Sequence, residues 1–137
     1  MSGAVSRENL ELVRRAYAAF ATGDRGAVME LLTPDVVWYP ALGLLLEQSI
    51  YHGPEAVCDL LFDEIPSVLE GFHAELLELH DLGDDSVLAI ARFRGRTAGS
   101  EVEQTFGQRF RGRDGRTYRM DSYPSRREAL EAVGLAG

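Results

Sequence analysis

Gln108 and Asp121 are the residues of this 137-residue chain whose types and spacing best suit acid–base chemistry. They lie in alternating sequences on either side of Asp114-Gly115, a dipeptide typical of a tight β-hairpin turn. Counting outwards from that turn predicts Gln108 opposite Asp121 on the apolar side of two strands. Burial there would raise the pKa of the Asp121 carboxyl. Asp121, held by Gln108, is therefore a candidate general acid or base.

The same alternation predicts an apolar pocket around this pair. Trp38 and Tyr17 would supply flat surface of the kind that holds an aromatic ligand, and the loop from Ala41 to Tyr51 is placed to form the mouth. The predicted pocket residues are Tyr17, Trp38, Phe93, Gln104, Phe106, Phe110 and Tyr123.

Alternatives stay open for both features. Asp121 could instead pair with Arg119 or with a backbone amide, and each aromatic residue of the pocket could be ordinary core. The register also assumes a hairpin without a β-bulge, because a slip of one residue exchanges the two faces of a strand.

Composition limits the classes of function. With 137 residues and 45% hydrophobic content, residues 1–137 are expected to form a single domain. Every basic residue is arginine, so a lysine Schiff base is excluded.

The charges are segregated along the chain. The net charge is −8, yet residues 92–127 hold 10 arginines against 4 acids. The arginines alternate with acids such as Glu101 and Glu103, which argues against nucleic-acid binding. The expected explanation is a charged sheet face that is either solvated or used in a homodimer.

The sequence lacks the patterns that mark a membrane segment, a metal site or a phosphate-binding loop. The apolar runs are short and the N-terminus lacks a basic-then-apolar leader, so we expect a cytoplasmic protein without membrane association. His52, His73 and His80 have no metal-ligand spacing with carboxylates, and no glycine-rich phosphate loop occurs. We therefore expect no metal and no cofactor, and we expect Cys58 to be a buried helix residue.

The order of elements predicts an α+β fold. It would be cone-shaped, with three N-terminal helices packed on a curved, mostly antiparallel sheet, plus a short C-terminal helix. The predicted helices are one capped by Ser6, one from Asp24 to Leu32, one from Pro54 to Leu69 and one opened by Pro124-Ser125. The predicted strands run from Val36 to Tyr39 and from His73 to Leu82, followed by the two hairpin strands.

Several segments together resemble a known superfamily. They are Ala21-Thr22-Gly23-Asp24, Leu32 to Trp38, Tyr51 to Ala56, Asp114-Gly115-Arg116 and Glu128 to Leu135. On these segments the chain resembles the nuclear transport factor 2-like superfamily, in its SnoaL-type polyketide cyclase and ketosteroid isomerase-like branch.

Only some of the catalytic residues of these relatives have counterparts in this chain. Steroid isomerases of this type have an aspartate base where this chain has Tyr39-Pro40, and their protonated aspartate corresponds to Gln108. The cyclases have an acid–base aspartate on the last strand, and Asp121 lies one residue before that position. A bulge would restore the match, and without one Ser122 takes the aspartate's place.

Two functions are therefore expected from the resemblance. The first is a small-molecule-binding SnoaL-like domain with cofactor-free acid–base catalysis, by Asp121 and Gln108, of a cyclisation, isomerisation or dehydration of a polycyclic or aromatic carbonyl compound. The second is a non-catalytic module that binds a hydrophobic ligand or forms a dimer.

Overall fold

The computed structural model describes residues 2–40 and 50–135. It confirms the predicted α+β class, with helices on a mixed sheet of six strands. The helices are α1 (Ser2–Ala21), α2 (Arg25–Glu30), α3 (Pro54–Asp59), α4 (Ile65–Val68) and α5 (Arg126–Ala132), with a π-helical turn (Leu60–Glu64) joining α3 to α4. The strands are β1 (Leu32–Tyr39), β2 (Tyr51–His52), β3 (Glu70–Asp81), β4 (Ser86–Thr97), β5 (Ser100–Arg113) and β6 (Arg116–Tyr123).

The sheet has the strand order β2-β1-β6-β5-β4-β3. All neighbouring pairs in the described residues are antiparallel except β1 with β6. Side chains of its inner face, such as Val87, Ala89 and Phe93, join one buried cluster with Val13 of α1. On its outer face, Leu88 and Ile90 pack against Ala129 of α5. The helices other than α5 therefore close one side of the sheet around a core, as alternation along the strands requires.

The β4–β5 hairpin is paired without a bulge. Arg94 lies opposite Glu103 and Arg96 opposite Glu101. Arg94 also forms an ion pair with Glu103 on the outer face. The alternation therefore placed the faces of these two strands correctly.

The β5–β6 hairpin departs from the predicted register. Arg113 pairs with Arg116 as expected, but the register shifts where Gly112 pairs with Thr117 and Arg111 pairs with Arg119. Tyr118 is thus an extra residue on β6, and every later residue of that strand exchanges faces. Counting outwards from the turn without a bulge therefore gives the wrong partner for every residue of β6 after Tyr118.

Two helix boundaries also differ from the sequence prediction. Helix α1 begins at Ser2, so Ser6 lies inside it. Asp24 caps α2 as predicted, accepting a hydrogen bond from the Ala27 amide at 3.0 Å, but α2 ends at Glu30. Leu32 instead starts β1, because it pairs with Thr117 of β6 and the Thr117 amide donates to the Leu31 carbonyl at 2.8 Å. Pairing with β6 thus extends β1 back to Leu32, into a segment that the sequence predicted as helix and loop.

The last helix is capped and fixed to the outer face at its N-terminal end. Ser125 caps α5 by accepting a hydrogen bond from the Glu128 amide at 3.1 Å. Arg126 donates two hydrogen bonds to the Glu78 carboxylate of β3, at 2.7 and 3.1 Å. His80 lies 2.9 Å from the same carboxylate.

Glu78 makes the stability of the fold depend on pH. The Arg126 guanidinium, followed by the His80 contact, lowers the pKa of Glu78 to about 2. The pKa of Glu78 in the folded state lies below the ordinary glutamate pKa. The ion pair therefore stabilises the fold fully above the ordinary pKa, and this stabilisation is lost as the pH falls towards 2. A third of the Glu78 side chain is exposed, so solvent screening reduces the stabilisation by these contacts to about 1 kcal/mol. Urea unfolding of Glu78→Gln should therefore show a loss of about 1 kcal/mol at pH 7 that shrinks steadily below about pH 4.

Glu131→Gln is the matched control for that variant. Glu131 lies on α5 itself, and its contact with the exposed Arg127 is 3.6 Å long. We expect this control to change the free energy of unfolding by less than about 0.5 kcal/mol at every pH. A pH-independent loss in Glu78→Gln would contradict the electrostatic explanation.

No helix among the described residues is long and apolar enough to cross a membrane. The cytoplasmic location stays a prediction from the sequence.

Candidate functional site

A cavity of about 100 Å³ lies between the inner face of the sheet and the helices. Its wall is mostly aliphatic and aromatic, with contributions from α1, α2, α3, the π-helical turn, α4 and five of the strands. The predicted pocket residues that line it are Tyr17, Trp38, Phe93, Gln104, Phe106 and Phe110. Gln104, Phe106 and Phe110 lie there because the even-numbered residues of β5 face inwards, and that any of the six residues binds a ligand stays a prediction.

Four polar side chains form a hydrogen-bonded group inside this wall. Tyr17 donates from its hydroxyl to Gln108 Oε1 at 2.6 Å. Gln108 Nε2 donates to Ser122 Oγ at 3.4 Å, and Trp38 Nε1 donates to the same oxygen at 2.8 Å. We call Tyr17, Gln108, Ser122 and Trp38 the polar quartet. It satisfies the amide of Gln108, which is 7% exposed and would otherwise be costly to bury.

The polar quartet has no group that readily accepts a proton at neutral pH. The Tyr17 ring is partly exposed, but its hydroxyl is enclosed, and burial raises the pKa of that hydroxyl well above its usual range. Tyr17 is therefore a protonated donor. No Asp, Glu, His or Arg lines the cavity within the part of the chain that the structure describes. The arrangement can orient a polar group by hydrogen bonds, but its own side chains supply no general base.

Asp121 lies outside the cavity, and its predicted pairing with Gln108 is wrong. Ser122 takes the place opposite Gln108, because the extra residue Tyr118 turns Asp121 to the outer face. There Arg119 donates to both carboxylate oxygens of Asp121, at 2.9 and 3.0 Å. The guanidinium of Arg119 also lies 4.8 Å from the centre of the Tyr39 ring. Asp121 thus makes the ion pair that the sequence left open as an alternative.

Tyr123 is displaced by the same bulge. It lies on the outer face, where it packs against the cluster formed by Leu88, Ile90 and Ala129. Its predicted place in the pocket wall is therefore wrong. Residues that the sequence prediction did not include, notably Thr117, Met120 and Ser122 of β6, line the cavity instead.

The mouth of the cavity is described only in part. The predicted mouth loop, from Ala41 to Tyr51, falls largely outside the described residues, which resume at residue 50. Pro40 and Pro124, which end or follow the parallel strands β1 and β6, line the cavity. Gln104 Nε2 donates to the Pro124 carbonyl at 2.8 Å and closes the wall between β5 and the end of β6.

The histidines lie apart from this cavity. His80 contacts Glu78, and His73 Nδ1 is 3.1 Å from the Gly71 carbonyl oxygen. Over residues 2–40 and 50–135, no group of three or more His, Cys, Asp or Glu side chains is arranged to hold a metal ion.

Comparisons with known proteins agree with this fold. A family model described as a SnoaL-like domain matches residues 13–120. An uncharacterized protein of Mycobacterium tuberculosis is 29% identical over 96 residues, which span 70% of this chain and 72% of that protein. The structure of Bal32a, from a soil-derived mobile gene cassette, is similar with a TM-score of 0.77 and 27% identity, over 87% of this chain and 90% of Bal32a.

A further similar structure is that of TerC, which was co-crystallized with polyporic acid. Its TM-score is 0.75 at 21% identity, over 93% of this chain and 98% of TerC. At this level of identity the similarity shows a common fold.

Proposed function

Because this chain belongs to the SnoaL-like domain family, we propose that it binds a small, neutral, largely apolar molecule in the cavity beneath the sheet. The main support for this proposal is the apolar wall of the cavity, in which the polar quartet is the one hydrogen-bonded cluster of side chains described. A wall of this kind gains free energy by removing apolar ligand surface from water. A charged ligand would lose its hydration without meeting an opposite charge on the described wall.

The position of Asp121 favours binding without acid–base catalysis over the cyclase-like alternative. A general base must come within hydrogen-bond reach of the proton that it removes. Asp121 instead holds Arg119 on the far side of the sheet, and Gln108 and Ser122 are neutral. Among residues 2–40 and 50–135, no Asp, Glu or His lines the cavity to accept a proton in a cyclisation, isomerisation or dehydration.

The size of the cavity limits an enclosed ligand to at most about one ring. An apolar cavity of about 150 Å³ can bind benzene, and the free volume here is about 100 Å³. TerC shows that a protein with this fold can be co-crystallized with a small molecule, polyporic acid. A polycyclic ligand in this chain would have to extend through the mouth.

Fluorescence titration tests the proposed binding. Trp38 is the only tryptophan and belongs to the polar quartet, so its emission should change when the apolar probe ethylbenzene enters. Ala74→Met puts a larger side chain into the wall, and we expect it to weaken binding at least tenfold. Asp121→Asn should leave the affinity unchanged. Equal titration curves for Ala74→Met and the unmodified protein would contradict binding in this cavity.

A homodimer through the sheet stays a prediction, and the outer face offers one observation in its favour. Arg92 and Arg111 each have a buried Nε with no hydrogen-bond partner among the described residues. Both are on the outer face, where a second copy would bring additional acceptors.

A further inference from the structure

Four arginines lie side by side on the outer face of the sheet. Arg109, Arg111 and Arg113 alternate along β5 and therefore point to the same side. Arg119 of β6 lies directly opposite Arg111. We call these four residues the arginine cluster. Like charges in directly opposite positions destabilise a pair of strands, so this arrangement needs carboxylates close by.

Three members of the arginine cluster have a carboxylate partner. The ion pairs are Arg109–Asp84 at 2.7 Å, Arg119–Asp121 at 2.9 Å and Arg113–Asp35 at 3.8 Å. Each of these guanidinium groups is therefore paired with one negative charge.

Arg111 is the exception in the cluster. Its side chain forms no ion pair and no hydrogen bond with the described residues, and its Nε is buried without an acceptor. The acids around it have other partners. The pKa of Asp84 is lowered most by the Ser86 hydroxyl and least by the charge of Arg111. Asp85 accepts a hydrogen bond from the Tyr118 hydroxyl at 3.0 Å.

We propose that Arg111 is the centre of a binding site for the ionised carboxylate of a small organic acid, on the face of the sheet opposite the cavity. The Arg111 side chain is partly exposed although its Nε is enclosed, so the ligand would approach the two terminal Nη groups. A carboxylate matches such a pair of donors with its two oxygens. It also brings one negative charge, which is what the unpaired member of the cluster lacks, whereas a phosphate group carries up to about two.

NMR titration with a matched pair of probes tests the site. Acetate and acetamide have nearly the same shape, and only acetate is charged. The Nε–Hε signal of Arg111, identified by its absence from the spectrum of Arg111→Gln, reports binding at this guanidinium. At constant ionic strength we expect acetate to shift this signal and to bind about tenfold more tightly than acetamide. Inorganic phosphate should bind no more tightly than acetate.

Arg111→Gln and Arg14→Gln form the matched pair of variants. Both remove one positive charge, and Arg14 is an exposed residue of α1 that has no ion pair among the described residues. Arg111→Gln should weaken acetate binding about tenfold, as measured by calorimetric titration, and Arg14→Gln should leave it unchanged. Because the Arg111 side chain bonds to no described residue, its replacement should not prevent folding, and circular dichroism checks this.

Several outcomes would overturn the proposal. Equal shifts by acetate and acetamide would show that charge does not matter at Arg111. Equal weakening by the two variants would show that acetate responds to net charge alone. Phosphate binding tenfold tighter than acetate would rule out selection for a carboxylate.

A second copy of the chain is another source of carboxylates, and sedimentation at several protein concentrations distinguishes it. We expect Arg111→Gln to leave the oligomeric state unchanged. If this variant instead converts a dimer to a monomer and acetate does not bind, an acid of the second copy occupies the site and the proposal of a small acid is overturned.

Discussion

Replacing Gly107 with alanine is expected to lower the free energy of unfolding by about 2 kcal/mol, one of the two largest effects that we predict. A Cβ atom at Gly107 would lie 2.3 Å from Cβ of Ala129 and 3.7 Å from its Cα. Neither atom can rotate away, because both are fixed to the backbone of α5. The helix would therefore have to move off the outer face, and it would lose its contacts with Leu88 and Ile90.

A double-mutant cycle isolates that contact. Ala129→Gly removes the atom that clashes, at a cost of about 1 kcal/mol for glycine inside a helix. In the Gly107→Ala background the same change should stabilise by about 1 kcal/mol, because the space restored for the new Cβ outweighs the cost of a glycine in the helix. The measurement is urea unfolding of the four proteins. If the changes in unfolding free energy of the two single variants simply add in the double variant, α5 does not limit the size of residue 107.

The prediction of the fold succeeded where local chemistry and tertiary pairing agree. Asp114 and Gly115 have φ angles of 54° and 74°, so the hairpin turn forms where the dipeptide indicates. Asp24 and Ser125 cap the predicted helices because their side chains reach the next backbone amides. These features depend on residues close in sequence, and the sequence therefore specifies them.

The candidate site was predicted less well, because it depends on one residue of register. No glycine of β6 marks the bulge at Tyr118, and the alternation of β6 is as regular in sequence with the bulge as without it. Its anchors come from distant segments: the Thr117 amide binds the Leu31 carbonyl, and the Tyr118 hydroxyl donates to Asp85 at 3.0 Å. Tyr17, Trp38 and the phenylalanines lie before the bulge or on other strands, so the shift in register does not move them out of the wall.

The second large effect is expected for Gln108→Glu, which puts a carboxyl group into the polar quartet without changing its shape. Gln108 is 7% exposed, and no cation lines the described cavity. Burial therefore raises the pKa of the new carboxyl above its unfolded value of about 4.3. The folded state then binds more protons than the unfolded state above that pH, so stability falls as the pH rises. We expect a loss of about 3 kcal/mol at pH 8 and a much smaller one at pH 4.

Gln104→Glu is the control that separates burial from the mere addition of charge. Gln104 faces the same cavity but lies partly exposed at its edge, where water can hydrate a carboxylate. Its substitution removes the hydrogen bond to the Pro124 carbonyl and should cost less than about 1 kcal/mol, with little dependence on pH. Urea unfolding at pH 4 and pH 8, followed by the emission of Trp38, measures both variants. If the two variants lose stability equally as the pH rises, water must reach residue 108. The polar quartet would then not be shielded from water, and the argument that the cavity prefers a neutral ligand would fail.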